Sequence, residues 1–365
     1  MSPDPISQLR LDRPDLFQAP PFWRSTLDDI AQAARTAARG QASVIGRSAG
    51  GRDLWAFAYG PFEPQKPTTT ISSANASDRP QAFYDPALRT RPVLALLGPM
   101  HGGEVEGVAL CLNLIHLLEH DADLLGRPNE ELLAMLRRLR LVIVPCTNPD
   151  GREKAGVLHM SGAERDHIFL VQQGLMKDGS LFQGRRVKEL QPIPNDYLLW
   201  RGGYYSDAGV NLQHDDFFGA LAPENRALAA LFRREMPDGF LTLHSHGASP
   251  GLTLPDAFLP PGVQRKQSEA SFYMLSRLTA RGWEVLTPDA STGPPWSFYF
   301  QTFLHHVCGA MPLLIELPHG VKTRPCSLET ILDIGMTAVA AWADYALRFG
   351  LRPASPDFYG KPPIA

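Results

Sequence analysis

Three short apolar runs that end in ionisable side chains constrain the fold of this 365-residue chain more than any other feature. They read "VLALL" from residue 93, "FLTLHSH" from residue 240 and "PLLIEL" from residue 312. Continuous apolar runs of this length predict strands of a sheet that is covered on both faces. Because amphipathic helix patterns separate such runs, we expect a layered α/β fold, in which helices flank a central β-sheet.

The flanking segments complete this prediction. Two short strands are expected at 42–48 and 54–60, joined by the glycine-rich turn "AGGRD", and another at "LVIVPC" from residue 141. Helices are predicted at four places: from a cap at Ser25 or Thr26 to Gly40, and over 108–120, 130–139 and 328–347.

The chain shows no clear linker or internal repeat, so its organisation is predicted to be simple. Residues 1–20 are expected to form a proline-punctuated N-terminal arm, residues 21–350 a single catalytic domain, and residues 351–365 a C-terminal tail. Two turn-rich excursions, 61–92 and 152–199, have the length of lids or binding loops.

Composition excludes several classes of function. The net charge of −3 gives no electrostatic case for nucleic acid or for an anionic membrane surface. No apolar run approaches the roughly 20 residues of a membrane span, and the N-terminus lacks a secretory pattern. The four cysteines form no CxxC pair and are expected to be reduced. We expect a soluble cytoplasmic protein with neither nucleic-acid nor membrane partners.

Ionisable side chains follow or end the three apolar runs: His101 and Glu104, His244, and Glu316. Because ligands of open α/β sheets bind beyond the carboxyl ends of the strands, these groups are expected to converge. Two histidines and a carboxylate are the ligand set of a catalytic zinc with one open position. The alternative is that Glu104 caps a helix beside an exposed histidine.

A series of motifs follows one order along the chain: "HGGE" at 101–104, "TNPDG" at 147–151, "WR" at 200–201, "GVNLQHDDF" at 209–217, "LHSHG" at 243–247 and "IEL" at 315–317. With "IGRSAGGRDLWAF" from residue 45, the series resembles the zinc carboxypeptidase (metallocarboxypeptidase) family over most of residues 42–348. The resemblance implies the mixed sheet of that family and a zinc hydrolase domain.

The resemblance also implies roles for individual residues. It implies one Zn²⁺ per chain, held by His101, Glu104 and His244, and Glu316 as the general base that activates the attacking water. Arg201 matches the arginine that polarises the scissile carbonyl and stabilises the oxyanion. A salt bridge is the alternative for Glu316, and Arg165 is the substitute for Arg201. The "NPDG" segment is expected to form a turn.

The sequence departs from the family where substrates are bound. Gln213 and His214 stand where ordinary carboxypeptidases have Asn-Arg, and a mostly neutral imidazole cannot form the bidentate clamp of a guanidinium. Asn211 replaces an aspartate near the first zinc histidine, whose ring it could orient. The substrate-carboxylate site is therefore expected to be atypical, with Gln213 and His214 as substrate-binding residues.

Two further departures lie near residue 290. The family's mobile tyrosine is missing, since its place falls near Thr287–Pro288, and the pocket segment "TGPPW" (292–296) carries no acid to receive a basic side chain. Recognition groups are expected elsewhere, on Arg165, Arg185 or Arg186, with little loss of activity when a substrate's C-terminal carboxylate is amidated.

The function predicted from these observations is zinc-dependent hydrolysis of an amide bond in a small peptide or acylated amino acid. The alternatives are a deacylase or esterase with the same centre, and a zinc-containing protein that binds a ligand without hydrolysing it. Supporting or surface roles are predicted for the other histidines of these segments: His246, His305, His306 and His319.

Overall fold

The computed structural model describes residues 4–252, 257–286 and 298–353. Its strands are β1 (Gln41–Arg47), β2 (Asp53–Tyr59), β3 (Val93–Leu97), β4 (Arg140–Val144), β5 (Gly174–Met176), β6 (Leu198–Arg201), β7 (Gly239–His246), β8 (Gly251–Leu252) and β9 (Met311–Pro318).

Its α-helices are α1 (Pro5–Asp12), α2 (Leu27–Thr36), α3 (Ile71–Ala76), α4 (Glu106–His120), α5 (Glu130–Leu136), α6 (Pro149–Ala155), α7 (Arg165–Gln172), α8 (Pro223–Glu235), α9 (Pro261–Ala280), α10 (Phe300–Cys308) and α11 (Leu328–Phe349). Short 3₁₀ helices cover Pro14–Phe17, Pro80–Ala82, Pro86–Leu88, Gly184–Lys188 and Leu212–His214.

Seven strands form the central sheet in the order β1-β2-β4-β3-β7-β9-β8. The inner strands β4, β3, β7 and β9 are parallel, whereas β1, β2 and β8 pair antiparallel with their neighbours. Strands β5 and β6 form a separate two-stranded ribbon within and after the second excursion. This mixed sheet flanked by helices confirms the fold class predicted from the sequence.

Side chains of the inner strands alternate between two apolar layers. Leu94 and Leu96 of β3 pack with residues of α2, α4, α5, α9 and α11. Ala95 and Leu97 point to the opposite face, where residues of α8 and α10 cover them. Since helices cover both faces, every residue of β3 is buried, which explains its uninterrupted apolar sequence.

Helix α2 begins as predicted, with a capping box between Thr26 and Asp29, but it ends at Thr36 rather than at Gly40. The prediction of its end was wrong because the next backbone N–H groups have another acceptor. Those of Ala38, Arg39 and Gly40 donate to the Glu119 carboxylate at the end of α4.

The described part of the predicted arm, from residue 4 to 20, contains α1 and packs onto the sheet domain. Ile6, Leu9 and Leu16 are buried together with residues of α4 and α6. At the other end of the domain Leu351 is also buried. The boundaries near residues 20 and 350 remain predictions.

All four cysteines are unpaired, and three of them are buried. Within the described part of the chain, no helix combines the length and the apolarity needed to cross a bilayer. The expected cytoplasmic location remains a prediction.

Candidate metal centre

The "HGGE" turn after β3 is fixed against the start of α6. The Asn148 side chain caps α6 by accepting a hydrogen bond from the Gly151 N–H, and its Nδ2 donates to the Met100 carbonyl at 2.8 Å. A Cβ on Gly102 would lie 2.0 Å from the backbone of Arg152, so only glycine fits at this crossing. The "NPDG" segment therefore begins a helix rather than forming an isolated turn, and it positions His101.

Glu104 lies between the two histidines. Its Oε1 is 2.8 Å from His101 Nδ1, and its Oε2 is 3.0 Å from His244 Nδ1. The backbone N–H of Ser245 also donates to Oε2, at 3.2 Å. All three residues are largely buried, and the His101 side chain is the most exposed of them at 11%. The structure thus brings together the three residues expected to bind metal, at the carboxyl ends of β3 and β7.

The donor set of this cluster fits zinc. One ligand atom from each of the three residues lies within 4.8 Å of the others, and no other such group occurs among the described residues. Burial opposes ionisation of Glu104, but the two histidines hold the pKa of its carboxyl well below the usual range. An ionised carboxylate beside two imidazole nitrogens is the combination that catalytic zinc sites use.

Glu316 lies directly across from His244, as its register partner on β9. Burial raises the pKa of the Glu316 carboxyl, and the negative charge of Glu104 raises it further against the opposing charge of the histidines. Among the described residues no Lys or Arg forms an ion pair with Glu316, so nothing in this part of the chain supports the alternative role as a salt bridge.

Gln213 and His214 differ in their burial and in their contacts. The Gln213 amide is buried and bonds to Gln301, which bonds in turn to the hydroxyl of Thr242. His214 is half-buried, with its ring 5.2 Å from that of Tyr299. Gln213 is therefore tied to the sheet, and His214 is the more accessible of the two.

The imidazole of His214 is neutral at physiological pH. Burial, followed by the positive charges of Lys188, His101 and His244, lowers its pKa to about 3. A protonated His214 that grips a carboxylate near pH 7 is therefore disfavoured.

A sequence model of the family described as "Zinc carboxypeptidase" matches residues 25–250, which is more than half of the chain. This chain belongs to the zinc carboxypeptidase family. Among curated proteins, no sequence relative is detected.

Three solved structures with the same fold are distant from this chain in sequence. A metallo-carboxypeptidase from Burkholderia cenocepacia aligns with a TM-score of 0.55 and 15% identity, over 88% of this chain and 68% of that chain. Carboxypeptidase A from Helicoverpa armigera aligns with a TM-score of 0.51 and 14% identity, over 93% and 82%. Bovine thrombin-activatable fibrinolysis inhibitor, in complex with a tick carboxypeptidase inhibitor, gives 0.52 and 12%, over 90% and 99%. At these identities the likeness establishes the fold.

In this zinc carboxypeptidase family member, Arg201 lies on β6 with its guanidinium toward the 207–209 turn. Its Nη2 donates to the Asp207 carbonyl at 3.1 Å, whereas Nη1 is buried without a partner among the described residues. No described contact joins Arg201 to Glu104 or Glu316. Its role at the oxyanion stays a prediction.

Tyr204 is a site residue that the sequence analysis missed. Its ring stacks on His101 with centroids 3.7 Å apart and an interplanar angle of 18°. The neighbouring Gly203 carbonyl accepts a hydrogen bond from the Gly102 N–H at 2.7 Å. The "WRGGYY" segment therefore packs against the candidate metal centre. In the sequence, the glycine pair after "WR" is the feature that indicates a close approach of two backbones here.

Asn211 makes no described contact with His101. Its side-chain oxygen accepts the Gln213 N–H at 3.1 Å, and the Nε2 of His101 has no hydrogen-bond partner among the described residues. The expected orienting role of Asn211 is therefore not seen in the structure.

The four histidines with predicted supporting or surface roles form their hydrogen bonds with groups outside the cluster of His101, Glu104 and His244. His246 Nε2, His305 Nδ1 and His306 Nε2 lie within hydrogen-bond distance of the carbonyls of Ser249, Ala310 and Phe258, respectively. His319 is fully buried, 3.0 Å from a Glu106 oxygen and 2.9 Å from the Gln172 amide.

No contact in the described structure joins Arg165 or Arg186 to the cluster of His101, Glu104 and His244. The Arg165 guanidinium lies 5.1 Å from the centre of the Phe169 ring, and Arg186 is exposed. The side chain of Arg185, the Thr287–Pro288 position and the "TGPPW" segment lie outside the described residues.

Proposed function

We propose that this chain hydrolyses an amide bond in a small peptide or acylated amino acid, with one Zn²⁺ held by His101, Glu104 and His244. The observation that supports this best is the position of Glu104, within 2.8 Å and 3.0 Å of the two imidazole nitrogens. A second carboxyl, that of the partly buried Glu316, lies across from His244 and is not used by an ion pair in the described structure.

Zinc bound at this site would lower the pKa of a water towards about 7 and polarise the scissile carbonyl. The protein's own part is to move a proton. Glu316 accepts it at the carboxylate and returns it to the leaving amine. Because burial raises the pKa of Glu316, its proton affinity is closer to that required near neutral pH than that of an exposed carboxylate.

We assign Arg201 to charge stabilisation at the carbonyl oxygen. The Asp207 carbonyl accepts a hydrogen bond from Nη2 of the guanidinium, and Nη1 is buried without a partner in the described structure. A buried donor without an acceptor is costly, so an oxyanion within its reach would be a favourable partner.

The substrate-carboxylate site is atypical in this proposal. Gln213 and a neutral His214 cannot make the two parallel charge-assisted bonds of an arginine fork. An esterase or deacylase with the same centre remains the alternative. A ligand-binding protein without turnover is disfavoured, because it has no use for a proton acceptor at Glu316.

Two variants test the proposal. His244→Ala should lose the roughly one zinc per chain expected of the parent, because two donors cannot replace three. Glu316→Gln should keep its zinc but lose activity on a panel of amide and ester substrates by about 100-fold or more. Zinc is measured by elemental analysis. The matched control is His306→Ala, an exposed histidine that should change neither quantity.

Undiminished zinc in His244→Ala would contradict the ligand assignment. Parental turnover in Glu316→Gln would show that the proton goes elsewhere.

A further inference from the structure

His319 contacts three of the segments that surround the candidate metal centre. It is fully buried and lies three residues after Glu316. Its backbone N–H donates to the carbonyl of His246, two residues after the expected ligand His244, at 2.8 Å. Its imidazole contacts two further segments, one through each ring nitrogen. The proposed hydrolysis makes no use of this side chain, so its burial and its contacts need another explanation.

One ring nitrogen of His319 faces α4. Its Nδ1 lies 3.0 Å from Oε1 of Glu106, and neither side chain has exposed surface. Glu106 is the first residue of α4, two residues after the expected ligand Glu104. In the described parts of the chain, no other cation lies at ion-pair distance from this carboxylate, and neither of its oxygens accepts a hydrogen bond of good geometry. Because a buried carboxylate is costly without a partner, the contact with His319 is the one that compensates Glu106.

The other ring nitrogen faces α7, in the second excursion. Nε2 of His319 lies 2.9 Å from the side-chain amide nitrogen of Gln172, which is also buried. With the amide in this orientation, Nε2 must accept the hydrogen bond, which leaves the imidazole proton on Nδ1, toward Glu106. Glu106 therefore fixes the tautomer of His319, and His319 fixes the Gln172 side chain.

Gln172 connects this group to the candidate metal centre. Its carbonyl accepts the backbone N–H of Tyr204 at 2.8 Å, and the Tyr204 ring stacks on the ring of His101. Its side-chain stem also packs against the "HGGE" turn, where a Cβ on Gly103 would lie 3.0 Å from its Cγ. Gln172 thus contacts the turn that carries His101 and binds the residue that packs against the His101 ring.

We propose that His319 is a positioning residue for His101, acting through Gln172 and Tyr204. The inference rests on the proposed function, because it assigns a part in zinc binding at that same site to a residue outside the ligand set. A ligand ring that is held in place before the metal arrives loses less freedom on binding it. Loosening any of these contacts should therefore lower the zinc affinity, whether or not it lowers the stability of the fold.

The quantity that tests this is the zinc affinity, measured by competition with a chelator of known affinity. Gln172→Met keeps the length of the side chain and removes the amide that contacts His319. We expect it to weaken zinc binding by about 5-fold or more. In a Tyr204→Ala background, where the stacked ring is already absent, the same change should alter the affinity by less than about 2-fold, because residues that act through one another are not additive.

A second variant tests the buried pair itself. Glu106→Leu combined with His319→Leu removes both groups at once, and apolar replacement of a whole buried ion pair is often neutral or stabilising, whereas a single replacement leaves an unpaired charge. The melting temperature should therefore be kept, while zinc binding should weaken by about 5-fold or more, as in Gln172→Met. If the double variant does not fold, Gln172→Met alone decides.

Glu235→Gln is the matched control. Glu235 forms a buried ion pair with Arg140 at 2.7 Å. Arg140 is the first residue of β4, so this pair lies at the end of the parallel strands opposite the candidate metal centre. Breaking it should lower the melting temperature and leave the zinc affinity within about 2-fold of the parent.

Parental zinc affinity in Gln172→Met or in the folded double variant would overturn the inference, and so would an undiminished effect of Gln172→Met in the Tyr204→Ala background. An equal loss of zinc affinity in Glu235→Gln would show that the affinity follows stability alone and would overturn it as well. Hydrolysis is measured separately on the parent protein. A parent that binds zinc without turnover overturns the proposed function and leaves the zinc comparison intact, whereas a parent that binds no zinc overturns both.

Discussion

At the scale of single residues, Tyr204 is the most informative contact of the metal centre. Its ring covers one face of His101, and its backbone N–H donates to the Gln172 carbonyl at 2.8 Å. Because Tyr204 packs against one face of the His101 ring, this ring has less orientational freedom to lose when it binds a metal. Groups that orient metal ligands commonly affect affinity by about 10- to 100-fold.

We therefore expect Tyr204→Ala to weaken zinc binding by about 10-fold or more. Tyr204→Phe keeps the stacked ring and should bind zinc as the parent does. Competition with a chelator of known affinity measures both. Parental zinc affinity in Tyr204→Ala would show that the stacked ring contributes nothing to the ligand's orientation.

Among the secondary-structure elements, the strands that carry the site were predictable and several helices were not. Strand β3 is buried on both faces, so its five residues show no alternation and stand out in the sequence. Helix α9 lacks such a pattern, because its buried positions are spread along 20 residues and include the small side chains Gly262, Ala270 and Ser271. Its formation depends on packing against α11 and the sheet, which no local pattern encodes.

The same distinction applies to the candidate site. His101, Glu104, His244 and Glu316 follow or lie on strands of the sheet, so strand order alone brings them together. Tyr204, which stacks on His101, and Gln301, which bonds to Gln213, lie in segments whose path depends on tertiary contacts. No spacing in the sequence predicts them.

Helix α4 also carries a stabilising feature at its far end. The Glu119 carboxylate accepts the N–H groups of Ala38, Arg39 and Gly40, and the Tyr59 hydroxyl at 2.9 Å. Burial opposes its ionisation, but these hydrogen bonds hold the pKa of Glu119 below the usual range. A lowered carboxyl pKa stabilises the fold above the unfolded value near about 4.3, and this contribution is lost as the pH falls through the folded value.

Glu119→Gln should therefore lower the free energy of unfolding at pH 7 by about 1–3 kcal/mol, since a neutral amide accepts fewer of these donors. The difference in the free energy of unfolding between the parent and Glu119→Gln should become smaller as the pH falls below about 4, because the parent's Glu119 carboxylate is then protonated. Urea denaturation at the two pH values measures this. An equal difference in the free energy of unfolding at the two pH values would show that ionisation of Glu119 does not contribute to stability.

At the scale of the whole molecule, the two sides of the central sheet come from two successive parts of the chain. Strands β1 to β4 form one side, and β7 to β9 form the other, with β3 and β7 adjacent at the boundary. His101 and Glu104 belong to the first side, whereas His244 and Glu316 belong to the second. The excursion between them turns at Lys177–Gly179, where the Met176 N–H donates to the Ser180 carbonyl at 2.8 Å and the turn residues are exposed.

The candidate metal centre is therefore built from residues of two successive parts of the chain, and we expect it to form even when the chain between these parts is broken. Co-expressed fragments 1–177 and 178–365 should assemble through the β3–β7 boundary and bind zinc, because the break falls at an exposed turn. Neither fragment alone should bind zinc, since 1–177 lacks His244 and 178–365 lacks His101 and Glu104. Copurification and elemental analysis measure this, and stoichiometric zinc on a single fragment would contradict it. If the two fragments bind zinc only together, zinc binding stabilises their complex, and the fraction of assembled fragments should rise with zinc concentration.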